Sequence, residues 1–129
     1  MSMRHERHYT VDQANAARPW VARRVQWIRD GHAGLIGLGE RGRAAIAALD
    51  PAAGGSYPGQ EVARCLVEIG RAIAELDAVD IVLRDVARGL VDFPAIRDDE
   101  EIYLCWLLEE DEIRFWHRPD AGFAGRRPL

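Results

Sequence analysis

GLVDFPAIRDDEEIYLCWLLEEDEIRFWH, residues 89–117, is the stretch whose reading decides the fold. Two acidic, turn-prone clusters, Asp98–Asp99–Glu100 and Glu110–Asp111, separate three runs rich in Val, Ile, Phe, Tyr and Trp. That is the pattern of strands joined by hairpins, and it predicts a three-stranded antiparallel meander. With loop tips at Asp98–Asp99 and Glu110–Asp111, Phe93 falls opposite Leu104, and Leu104 opposite His117. Side chains alternate along a strand, so this register sorts the sheet into two faces. One carries Val91, Phe93, Ala95, Ile102, Leu104, Trp106, Leu108, Ile113, Phe115 and His117; it is apolar except for His117 and is expected to lie against the helices. The other carries Asp92, Pro94, Ile96, Glu101, Tyr103, Cys105, Leu107, Arg114, Trp116 and Arg118. This mixed face is the expected contact surface, either a two-fold dimer interface or a surface covered by the C-terminal tail. In this register Asp92 faces away from His117, which disfavours a direct dyad.

Everything before residue 80 reads as helix. Thr10 and Gln13 form a capping box that opens a short helix from Val11 to about Ala17, with Pro19 stopping it and starting a second. In the second helix Val21, Val25, Ile28, His32, Leu35, Ile46 and Leu49 fall at steps of three and four, except where Gly39 and Gly42 stand in the stripe. Five glycines between Gly31 and Gly42 weaken it by roughly 1 kcal/mol each relative to Ala, which close approach of a partner helix would offset. Residues 50–59 read as a loop, and a third helix from about Gln60 to Ala78 shows Val62, Leu66, Ile69, Ile73 and Leu76 as its apolar stripe. The two longer helices make an antiparallel hairpin. Ile81–Leu83 is a possible extra strand, and because Pro94 has no N–H to donate, the first meander strand is expected at an edge or an end near Phe93. The expected architecture is α+β: an N-terminal antiparallel helical hairpin packed on a small antiparallel meander of three to four strands. One domain is expected, with a helical part over 10–78, a β part over 81–118 and a tail over 119–129.

Composition narrows the function classes. At 129 residues the chain buries a sizeable core without help from metal or disulfide. Cys65 and Cys105 lack any framework spacing and read as small buried hydrophobes in a reducing compartment. No membrane-length apolar run or signal-peptide core is present, so a cytoplasmic location is expected, with no membrane partner. All 17 Lys and Arg positions are Arg, which reads as GC-rich coding, and the net charge of −4 argues against nucleic acid as a partner.

Five features invite chemistry. Gly37–Gly42 spells GxGxxG, but a dinucleotide fingerprint follows a strand and opens a helix, whereas this one sits inside a helical pattern. The carboxylate clusters at 98–101 and 109–112 lie about 25 Å apart at roughly 3.3 Å per residue, so they read as solvated turns rather than one cation site. His5 and His8 precede the capping box and read as part of a frayed terminus. His117 is the one titratable group on the apolar face; Asp120 is its nearest partner in sequence, and His32 is placed to meet it if the sheet packs on that helix. Asp92 sits among Tyr103, Cys105, Arg114 and Arg118, where with Arg126 those arginines would line a cleft for a small anion. The ligand-binding candidates are therefore His117, Asp120, Asp92 and Arg126, with the cofactor and any metal left unassigned.

The motifs GLVDFPA, YLCW, WH and DAGFAGR followed by PL, with YTVDQANAARP near the start, resemble the bacterial domain-of-unknown-function family numbered 2203. The chain departs from it in the glycine-laden segment Gly31–Gly42, where a Leu- and Glu-rich helix is usual, and at Glu109, where the family usually has Gly. The resemblance implies helices followed by a small sheet, and no activity. Two functions fit the residues. One is a homodimeric interaction or small-ligand-binding module without catalysis. The alternative is a small metal-dependent or anion-binding enzyme with His117 and Asp120 at its site, drawing on Asp92 or Glu109 and on Arg126, although no HExxH or CxxC motif supports it.

Overall fold

The computed structural model describes residues 3–47 and 59–129. Helices α1 (Val11–Ala47) and α2 (Gly59–Ala78) precede strands β1 (Val82–Asp85), β2 (Leu90–Arg97), β3 (Glu100–Leu107) and β4 (Phe115–His117). A 3-10 turn at Phe123–Gly125 then leads into β5 (Arg127–Pro128). The strands form one antiparallel sheet in the order β1-β2-β3-β4-β5, so the helical hairpin and meander are as expected. The sheet reaches five strands because both the segment after α2 and the end of the tail join it.

The capping box forms as expected: Thr10 N donates to Gln13 Oε1 at 3.0 Å and Gln13 N donates to Thr10 Oγ1 at 3.1 Å. Pro19, however, does not divide the helix; α1 runs through it for 37 residues. A proline inside a helix removes one backbone bond, and here a continuous buried stripe, Ala14, Val21, Val25 and Ile28, holds both sides of it on the sheet. The same helix passes through Gly37 and Gly39 without a turn and with no strand ahead of it, so GxGxxG has no phosphate-binding geometry. Close helix approach accounts for Gly31, where a Cβ would lie 2.9 Å from Ile69, but a Cβ at Gly34, Gly37 or Gly39 would meet nothing within 4 Å. His32 is exposed, contrary to its expected place on the buried stripe, and has no part in the environment of His117. Residues 50–58 of the expected loop, and Leu49, lie outside the described residues.

The α2 seam is also rotated from the expected one. Ala72 and Leu76 are buried, with Ile69 packed beside them, whereas Leu66 (56 % exposed) and Ile73 (39 %) face outward. Val62–Cys65–Ile69–Ala72–Leu76 satisfies the same three-four spacing, and its smaller residues let α1 come close. Cys65 is consequently half-buried and Cys105 fully buried, both as free thiols.

Strands β2 and β3 pair as read, Phe93 with Leu104, through a two-residue turn in which Asp98 and Asp99 both have positive φ (51° and 62°). Pro94 lies beyond the reach of β1, whose pairing along β2 stops at Asp92. Its carbonyl accepts from Tyr9 N at 2.7 Å on the side away from β3, so its missing N–H removes no ladder bond. Val91, Phe93, Ala95, Ile102, Leu104 and Trp106 form the core with both helices, as expected.

The pairing of β3 with β4 is the principal correction. His117 lies opposite Tyr103, and Trp116 opposite Leu104, one residue from the expected register. Trp116 therefore joins the helix-facing core, while Phe115 and His117 turn to the other face. Residues 108–114 are a folded connection rather than a tight turn. In it Trp106 Nε1 donates to the Glu110 carbonyl at 2.8 Å, Leu107 N donates to Glu110 Oε1 at 2.7 Å, and Ile113 N donates to Asn15 Oδ1 at 2.8 Å. These anchors set the count of residues between the strands.

Gly89, immediately before β2, has φ +63°, and a Cβ there would lie 2.7 Å from Leu108 Cβ. Left-handed backbone and overpacking both oppose a side chain at this position. Gly89→Ala is expected to lower unfolding free energy by about 2 kcal/mol or more, read as a lower urea midpoint at unchanged slope.

Candidate functional site

The β4 register brings Asp92, Tyr103, Cys105 and His117 onto one side of the sheet, away from the helices. Asp92 and Cys105 are direct cross-strand partners on β2 and β3, and Tyr103 and His117 on β3 and β4. All four are buried, Asp92 and His117 to 1 % and 3 % exposure. The dyad that the expected register disfavoured is formed: His117 Nε2 lies 2.9 Å from Asp92 Oδ1. The other ring nitrogen, Nδ1, donates to the Arg118 carbonyl at 2.7 Å, and Arg84 Nε donates to Asp92 Oδ2 at 2.9 Å.

These contacts decide the charge state. Burial pushes the His117 imidazole toward neutrality, but hydrogen bonds with Asp92, Cys105 and the Arg118 carbonyl outweigh it and hold the pKa up at about 10. Both ring nitrogens therefore carry protons, and the Asp92 carboxylate accepts from an imidazolium on one oxygen and a guanidinium on the other. A buried carboxylate without such partners would be strongly disfavoured.

Two segments cover this face. Residues 3–10 run across one end of it: His5 Nε2 lies 2.8 Å from Tyr103 Oη, His8 Nε2 lies 2.8 Å from Glu101 Oε2, and Arg7 N donates to Asp80 Oδ2 at 3.1 Å. The two histidines are thus fixed to the sheet, and the expectation of fraying does not hold for them. The tail covers the other end. Arg126 stacks on Phe115 (4.1 Å) and Phe123 (4.9 Å), donates to the Cys105 carbonyl at 3.2 Å and pairs with Glu110. Cover by the tail, one of the two uses expected for the mixed face, is present at this end.

Between tail and sheet a cleft of about 330 Å³ remains. Arg84, Asp92, His117 and Asp120 bring charge to its lining, and Leu90 and Phe123 bring apolar surface. Among the expected ligand-binding residues, His117 and Asp92 meet directly, and Asp120 stands exposed at the cleft rather than bonding His117. Arg126 is committed to the tail anchor. Glu109 is exposed and pairs with Arg29 at 3.3 Å. In the acidic clusters Asp98 and Asp99 form an exposed turn, Glu100 pairs with Arg118, and Asp111 and Glu112 pair with Arg114, whereas Glu101 and Glu110 are drawn in by His8 and Arg126 rather than solvated.

Arg84 is the residue that sequence reading passed over. Its signal was available: it stands in β1, whose pairing of Val82 with Asp92 brings an arginine beside a carboxylate that interrupts an apolar strand. Cys105 was read as a filler, yet it is one of three buried residues, with Asp92 and His117, whose potential ligand atoms all lie within 4.8 Å of one another.

The model of a family described as uncharacterized conserved protein, DUF2203, matches residues 7–129, nearly the whole chain. No curated protein and no solved structure matches it. No helix among the described residues is long and apolar enough to cross a membrane.

Glu101 makes the N-terminal cover pH-dependent. Burial alone would raise its carboxyl, but the hydrogen bonds from His8 and from the Arg4 and His5 backbone N–H groups outweigh it and hold the pKa below the usual 4.5. A depressed folded-state pKa contributes stability that is present above the unfolded value and is lost as pH falls through the folded one. Urea midpoints measured downward from pH 5.5 are expected to fall below about pH 4.5, and Glu101→Gln to flatten that part of the profile.

Proposed function

The chain belongs to the DUF2203 family, and we propose that it serves as a small-ligand-binding module whose site is the cleft between tail and sheet, taking a small molecule with an anionic group. The observation that carries this reading is the disposition of Arg84. Its Nε is held by Asp92 while 42 % of its side chain stays exposed at the cleft, so its charge is positioned by the fold and still open to solvent. A guanidinium held on one edge can offer its outer edge to a carboxylate or phosphate. Leu90 and Phe123 supply the apolar surface that small-molecule sites combine with a few placed polar groups. Binding fits better than nucleophilic catalysis because Cys105, 0 % exposed, presents no thiol to the cleft.

Inorganic phosphate added to ¹⁵N-labelled protein is the test. Amide shifts centred on Arg84 and Asp120–Phe123, lost in Arg84→Ala, are expected; shifts scattered over exposed arginines, or none, would count against the reading.

A homodimer is part of the same proposal, carried by the helices rather than the sheet. Trp27 (51 %), Leu66 (56 %) and Val67 (60 %) are large apolar side chains left exposed on α1 and α2. Light scattering is expected to give twice the 14.5 kDa chain mass, reverting to the single-chain value in Leu66→Asp. A wild-type mass of one chain would remove the dimer from the proposal.

A further inference from the structure

We infer that Asp92, Cys105 and His117 form a zinc site with three protein ligands, its fourth position open to the cleft. Each of the three offers one potential ligand atom, and these atoms lie within 4.8 Å of one another in a buried setting. Tetrahedral zinc, with bonds of about 2.0–2.3 Å to nitrogen, oxygen and sulfur, needs its ligand atoms about 3.5 Å apart.

The outer contacts point the same way. A ligating histidine typically gives its other ring N–H to a carbonyl or carboxylate, and His117 Nδ1 already donates to the Arg118 carbonyl at 2.7 Å, leaving Nε2 directed at Asp92. A ligating carboxylate is itself held from behind, and Asp92 Oδ2 accepts from Arg84 at 2.9 Å. The three donors sit on three adjacent strands, a rigid platform rather than a loop. Thiolate, imidazole and carboxylate together suit zinc, and three protein ligands with one open position describe sites where a water or a small anion completes the shell. Asp92 and His117 both line the cleft, which places that opening.

Loading exchanges protons for metal. Zinc takes the place of the proton on His117 Nε2 and of the Cys105 thiol proton, both of which leave to solvent. The metal and the two anionic ligands then balance, with no oxidant or reductant involved.

The experiment uses full-length protein purified without a polyhistidine tag, stripped with a chelator and titrated with Co²⁺ alone. The expected result is uptake of one equivalent with a thiolate-to-cobalt charge-transfer band, bleached by one equivalent of Zn²⁺. The band should survive Cys65→Ser and disappear in Cys105→Ser, and uptake should be lost in His117→Ala. Folded wild-type protein that gives no charge-transfer band overturns the proposal, as does a band lost in Cys65→Ser. Uptake without thiolate absorption also overturns it, because the metal is then held without Cys105. The inference goes beyond the anion reading and does not depend on it: a failed phosphate titration leaves the cobalt result intact.

Discussion

A carboxylate buried between an imidazolium and a guanidinium is the interaction on which the arrangement of this molecule turns. Asp92 accepts from His117 on one oxygen and from Arg84 on the other, and neither Asp92 nor His117 has more than a trace of exposure. Removing Asp92 would leave the buried His117 imidazolium without its counter-charge, at a cost of about 3–5 kcal/mol. The three residues come from β1, β2 and β4, so the charge group ties together strands that the hydrophobic core secures only from the opposite side. It exists because β4 pairs with β3 in one register and not the next. Shifted by one residue, His117 would point at the helices and Trp116 at the tail.

Once three ionised or polar groups lie on a sheet face, the face needs cover that is itself polar where it touches them. The N-terminal arm and the tail supply it. The arm meets Tyr103 and Glu101 with two imidazoles and two backbone N–H groups; the tail meets Phe115 and the Cys105 carbonyl with the Arg126 guanidinium. An arginine stacked on two aromatic rings contributes both apolar contact and a donor. Between the tail and the sheet the cleft is left, with Arg84 in its lining. The proposed ligand site is therefore the gap in a cover that the buried charges require.

Much of this was legible in the sequence. The helices and strands followed from apolar periodicity, and the Asp98–Asp99 turn and the β2–β3 register followed from turn chemistry, because a two-residue loop leaves no freedom in the pairing count. The β3–β4 connection has seven residues, and its acidic composition marks a reversal without saying how many residues it consumes. That number is set by a tryptophan indole bonded to the Glu110 carbonyl and by Asn15 reaching over from α1, contacts between residues that no local pattern links. The error of one residue moved His117 across the sheet and hid its pairing with Asp92. The α2 seam went astray for a related reason: Leu66, Val67 and Ile73 are as apolar as the residues that do face α1, so spacing alone admits two rotations. Pro19 obeyed its local preference less than the continuous stripe on either side of it.

The pairing of β4 with β3 is the point at which all of this can be tested directly. Pro94 turns its carbonyl away from β3, so its partner Tyr103 directs its own backbone bonds toward β4, and Leu104 is a non-hydrogen-bonded position there, where facing Cα atoms approach to about 4.5 Å. Hα–Hα nuclear Overhauser contacts in D₂O report that closest pair. A cross-strand contact from Leu104 to Trp116 is the predicted result; a contact from Leu104 to His117 would contradict the account.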